Sequence, residues 1–167
     1  IRGDPSKFKT LPPNLLNNKR FVIEAMVSLI DGGKARNTEL LQHVSPNLRG
    51  DLDVVLTAMK ADPSNFKHAE DWLKGEASVV LKAIESDASN FKHASRNLRE
   101  DKQFLSRALN VNPNAWIALN VKNELIGDID LVLQVLNIDP KNNIIAFTSD
   151  ALLNDKNFAK EVLQING

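Results

Sequence analysis

Three histidines, His43, His68 and His93, recur at intervals of 25 residues in a chain that has no cysteine. Imidazoles in regular spacing can ligate a metal, relay protons or change charge near neutral pH. A metal centre needs its ligand nitrogens on one ion, at ~2.0–2.1 Å. Side chains one structural repeat apart are instead separated by roughly 10 Å. The histidines are therefore expected to form a row and not a metal site. Such a row is either a ridge copied by duplication or a line of polar contacts on a binding face. Protonation near pH 6.5 would make it pH-sensitive.

Cations surround that row. Lys67 and Lys92 directly precede two of the histidines, and Arg49, Lys74 and Arg99 each lie six residues beyond a histidine. Lys92, Arg96 and Arg99 have the spacing of one helical face, which could receive an acidic peptide or phosphate groups. A solvated helix face would read the same way, and Glu70 and Asp71 interleave with the cations. Trp72 stands where the corresponding residues are Asn47 and Asn97. A large aromatic in a polar slot is a candidate binding anchor, or else a cover over a joint between repeats. Four residues separate it from His68, which on a continuous helix would put both on one face. The candidate partner surface is thus Lys67, His68, Trp72, Lys92, His93, Arg96 and Arg99.

Nothing comparable points to catalysis. The sequence has no Gly-rich phosphate loop, no His-Glu-x-x-His and no Gly-x-Ser-x-Gly. No catalytic residue, metal or cofactor is expected. Lys plus Arg and Asp plus Glu both number 21, so bulk attraction to nucleic acid or an anionic membrane is not expected. Aromatics make up 5%, too few to interleave with the cations as base-stacking platforms. No apolar run approaches the length of a bilayer span. The expected setting is cytoplasmic, with a protein as partner. A start at Ile1, with no signal-peptide pattern, reads as a segment of a longer protein.

These residues are positioned by a repeat. Asp62-Pro63-Ser64-Asn65-Phe66-Lys67-His68-Ala69 and Asp87-Ala88-Ser89-Asn90-Phe91-Lys92-His93-Ala94 agree at seven of eight places, 25 residues apart. The frame extends over residues 1–167 as one domain of six units, starting near 4, 37, 62, 87, 112 and 139. Counting from zero in each unit, position 4 holds Phe8, Leu41, Phe66, Phe91 and Trp116; position 7 holds Leu11, Val44, Ala69, Ala94 and Leu119. Position 11 holds Leu15, Leu48, Leu73 and Leu98. This is helical periodicity. A second stripe at positions 17, 18, 21 and 22 includes Val54, Val55, Ala58 and Met59, then Val79, Val80, Ala83 and Ile84. Alanine at position 21 suits close helix approach.

Asp or Asn opens every unit, and Pro follows at Pro5, Pro63, Pro113 and Pro140, a helix-start signature. Asn18, Asp51, Glu76, Asp101, Asp128 and Asp155 would cap the second helices. Leu29 to Arg36, with paired glycines, reads as a loop insertion. One hairpin cannot bury both stripes alone, whereas stacked hairpins can. The expected fold is all-α: an α-solenoid of about six two-helix repeats, about twelve short helices, with apolar ends. Charge is graded along it. Residues 1–50 carry eight basic and four acidic side chains, and residues 112–167 carry four and seven. Opposite ends could favour head-to-tail contact.

The stretch from Asn90 to Leu109, with Ala94-Ser95, Leu98-Arg99, Asp101, Phe104-Leu105 and Ala108, resembles a short helical repeat family catalogued as a domain of unknown function. The resemblance covers most of 37–139 and weakens toward both ends. The family's usual Asn-Gly turn between units is replaced here by Asp-Pro or Asp-Ala. Repeats of this kind are common in large proteins of intracellular bacteria, protists and giant viruses. The resemblance implies a non-catalytic interaction module within a larger protein, a secreted bacterial effector in the host cytosol being one setting. The alternative is a regulatory or substrate-positioning arm of an enzyme whose catalytic domain lies outside this segment.

Overall fold

The computed structural model describes residues 4–35, 38–118 and 124–166. Among them all regular structure is helical. The expected start of the second unit at Asn37 and the core position at Leu119 lie outside the described residues.

Each unit has three helical segments where two were expected. A 3-10 helix comes first: Pro5–Thr10, Leu40–His43, Pro63–His68, Ala88–His93, Pro113–Ala118 and Asn143–Phe147. A single turn follows: Pro13–Leu16, Pro46–Arg49, Asp71–Lys74, Arg96–Glu100, Glu124–Gly127 and Asp150–Leu153. The long helix comes last: Lys19–Asp31, Leu52–Ala61, Ala77–Ser86, Lys102–Val111, Ile129–Ile138 and Lys156–Asn166. The first expected helix is split because positions 7 and 8 are extended, for example Ala69 at φ −62°, ψ 153° and Glu70 at φ −63°, ψ 150°. Proline at the next position, as in Pro13 and Pro46, disfavours the α conformation in the residue before it.

The break serves the joints. At position 8 the backbone N–H donates to the carbonyl at position 12 of the preceding unit: Ser45 to Leu16 at 3.1 Å, Glu70 to Arg49 at 3.0 Å, Ser95 to Lys74 at 2.8 Å. The donor crosses only because its residue has left the helix, where the N–H would point along the axis. In the second unit the next residue is Gly50, where a Cβ would sit 3.4 Å from Glu70 Cγ, although Asn17 holds the same place in the first joint.

A buried asparagine adds a second clasp. Asn65, fully buried, accepts from the Leu41 N–H at 2.9 Å, and its Nδ2 donates to the carbonyls of Thr38, Ala58 and Asp62 at 2.8, 3.1 and 3.0 Å. Asn90 Nδ2 donates to Pro63 and Ala83, both at 3.1 Å. The alanines at position 21 thus bring both their small side chains and their carbonyls to the next unit.

Both expected stripes form the core. Phe8, Leu41, Phe66, Phe91 and Trp116 are all buried, as are the second-stripe residues of units two to five. Each long helix packs on the 3-10 helix or long helix of the unit after it. Asp4, Asp51, Asp62, Asp87, Asp101 and Asp128 cap as expected. Glu76 makes no side-chain cap, its extra methylene placing the carboxylate too far out to turn back on the helix. The supposed loop insertion is partly helix: the first long helix runs on to Asp31, burying Leu29, and turns at Gly33 with φ 66°. The two extra residues of the sixth unit fall at its head, where Lys141 N–H bonds to Asp139.

Candidate functional site

Splitting the first helix changes how the candidate residues face one another. Lys67 and His68 end one 3-10 helix, Trp72 belongs to the separate turn Asp71–Lys74, and the extended pair Ala69-Glu70 lies between them. Likewise Lys92 and His93 are separated from Arg96 and Arg99 by Ala94-Ser95. The expected helical faces shared by His68 with Trp72, and by Lys92 with Arg96, therefore do not exist. Arg96 and Arg99 do share a turn.

Each side chain has its own local setting. Glu39 of the second unit ion-pairs with Lys67 and lies 3.2 Å from His68 Nε2, joining the second and third units. Hydrogen bonds from Lys67 and then His68 hold the Glu39 carboxyl below its ordinary value. Arg96 Nε bonds Glu100 at 2.7 Å on an exposed surface, and Arg99 Nε donates to the Ala94 carbonyl at 3.1 Å. Nearby, Lys74 pairs with Asp71 at 3.3 Å and Arg49 with Glu70 at 3.5 Å. Lys92 is exposed and forms no ion pair among the described residues. It lines an open groove of about 630 Å³ with Pro63, Asp87, Ser89, Asn112 and Asn114.

Trp72 is 59% exposed, yet it is not loose. A Cβ on Gly50 would come within 3.0 Å of the indole Nε1, so the ring edge rests against the turn of the preceding unit. The residue both covers the joint and presents its ring to solvent. Trp116 is buried, with Nε1 bonded to Asn142 Oδ1 at 2.9 Å and its ring 4.7 Å from that of Phe147.

His43 and His93 are both held below the ordinary imidazole value. Burial first, then the charges of Lys92, Lys74, Lys67 and His68, hold His93 below 6.5. Burial, Lys9 and His68 lower His43 likewise, with Glu39 opposing. A base with a lowered folded pKa stabilises the fold fully above its unfolded pKa, and that contribution is lost as pH falls. The urea midpoint is therefore expected to fall as pH drops below 6.5, and a His43→Gln, His93→Gln double variant should show a flatter dependence. Equal slopes in the two proteins would contradict this reading.

Among the described residues no group of His, Cys, Asp and Glu is placed to hold a metal ion. No helix among them is long and apolar enough to cross a membrane. Sequence reasoning missed Glu39, Asn65 and Asn90. The repeated Asn before the core Phe was visible in the duplicated octapeptide, but an Asn there reads equally well as a surface residue.

Residues 35–74 and 78–120 each match the family model described as Domain of unknown function (DUF4116). Over those residues the chain belongs to this family. Each DUF4116 match is longer than one 25-residue unit and spans several segments, so the family pattern includes a joint as well as a hairpin. The interlocked asparagines and position-8 amides of units two to four all lie within the DUF4116 stretches. Comparison with curated proteins and with solved structures finds no match.

Proposed function

We propose that this chain is a non-catalytic scaffold for protein–protein interaction, its stacked units forming an α-solenoid whose first segments present a partner surface. The observation that carries the proposal is Trp72. An aromatic held at one edge by Gly50 and open to solvent on the rest of its ring loses little freedom when covered. On the next unit Lys92 is exposed and forms no ion pair among the described residues, and Arg96, also exposed, shares its charge with Glu100; both favour a partner that offers carboxylates beside an apolar side chain. Lys67, His68, His93 and Arg99 are partly engaged within the fold and contribute shape to the surface more than free charge. The same proposal sets the chain in a cytoplasm, the host's where it is part of a secreted effector.

The test is affinity capture on the immobilised chain from a suitable cytosol, run beside a Trp72→Ala, Lys92→Glu, Arg96→Glu variant. Truncating a tryptophan anchor costs ~2 kcal/mol or more of binding, roughly thirtyfold in Kd. A protein retained by the parent chain should be lost from a variant with an unchanged melting curve. Recovery of the same proteins by both would remove this surface from the account.

A further inference from the structure

The outer face of the last unit is a stacking face without its neighbour. Positions 18 and 22 of the long helix are buried in every unit that has a following one. Val22, Val55, Val80, Leu105 and Val132 occupy the first, and Met26, Met59, Ile84, Leu109 and Leu136 the second; none is more than 4% exposed. In the sixth unit, aligned on its cap Asp155, the same positions are Ala159 and Leu163. Ala159 is exposed and Leu163 is 71% exposed, the most open large apolar side chain described. Phe158, one position earlier, is buried. The exposure thus belongs to one side of the helix.

The polar half of a joint is also present and unmet. The carbonyl that the first three units offer to the next at position 12 is here that of Leu153, and no described donor reaches it. Asn166 falls in register with Asp62, Asp87, Asn112 and Asp139, the residues that open units. A second copy of this chain fits the face poorly. Its first unit carries Pro12 at position 8, and proline has no N–H for the Leu153 carbonyl.

We propose that this face binds one further hairpin of the same repeat type. That hairpin carries an aromatic or aliphatic side chain at position 4 to cover Leu163, and a residue other than proline at position 8 to donate to Leu153. The argument rests on continuity with the joints already described, whose geometry recurs at the same positions.

The test appends a copy of residues 89–111 directly after Gly167, so that Asn166 and Gly167 take the first two places of a new unit. A control carries the same copy with its Phe91→Asp and Ser95→Pro changes. Amide exchange in 158–166 should slow about tenfold or more with the intact copy and stay at the parent rate with the control. In the parent chain Leu163→Asp should leave the melting temperature within about 2 °C, and in the extended chain it should remove the added protection. Unchanged exchange at 158–166, equal protection by the control, or concentration-dependent self-association of the parent chain that buries Leu163 would each overturn the proposal.

Discussion

Phe91→Asp is expected to abolish the cooperative unfolding transition of the central units. Phe91 is fully buried between the units, its ring 6.1 Å from that of Phe104. Removing a buried Phe side chain costs ~3–5 kcal/mol before any charge is considered. The aspartate must then either stay protonated or sit unpaired in an apolar site, for several kcal/mol more. Together these approach the whole stability of an ordinary domain, ~5–15 kcal/mol. In a stacked array the loss is local, because each unit leans only on its neighbours. Exchange protection should therefore fall across residues 62–111 and survive in part near the first unit. Lys92→Ser, one residue away and exposed, should shift the melting temperature by no more than about 2 °C. Circular dichroism melts of the two variants check this. The opposite order would mean that the frame is displaced by one residue.

Asn65→Leu is the second large effect, and it tests the buried hydrogen bonds of the joint. Leucine keeps asparagine's branching and number of heavy atoms, but it leaves the Leu41 N–H and the Thr38 carbonyl without the partner they now have. Each buried polar group stranded in this way costs ~1–3 kcal/mol. A total of ~2–4 kcal/mol at roughly 2–4 °C per kcal/mol predicts a fall of roughly 4–16 °C in melting temperature. Asn47→Leu, on the exposed turn of the second unit, should change it little. Equal effects at the two sites would show that the buried asparagine does not hold the joint.

The core was legible in the sequence because the signal is redundant. Phe66 and Phe91 sit in nearly identical octapeptides, and position 4 is apolar in the first five units, so chance patterning was easy to exclude. The caps were legible for the same reason, except at Glu76, whose longer side chain does not turn back on the helix. The split of the first helix is hidden in the sequence: Ser45-Pro46 and Pro12-Pro13 mark it, but the apolar spacing of positions 4, 7 and 11 runs through the break undisturbed. The candidate surface was legible only as residue types. Which cations are paired depends on Glu39, Glu70 and Glu100, and two of those pairs cross between units. Trp72 was the exception, since an aromatic in an asparagine slot stands out against the repeat.

The central claim is that look-alike units stack in one register. Residue-resolved amide exchange at Ser45, Glu70 and Ser95 tests it most directly. These amides lie outside every helix, and each bonds only to the preceding unit. The account predicts that all three are protected to the same degree as the long helices beside them. Exchange at the rate of an exposed loop, with the long helices still protected, would show that the units do not stack in this way.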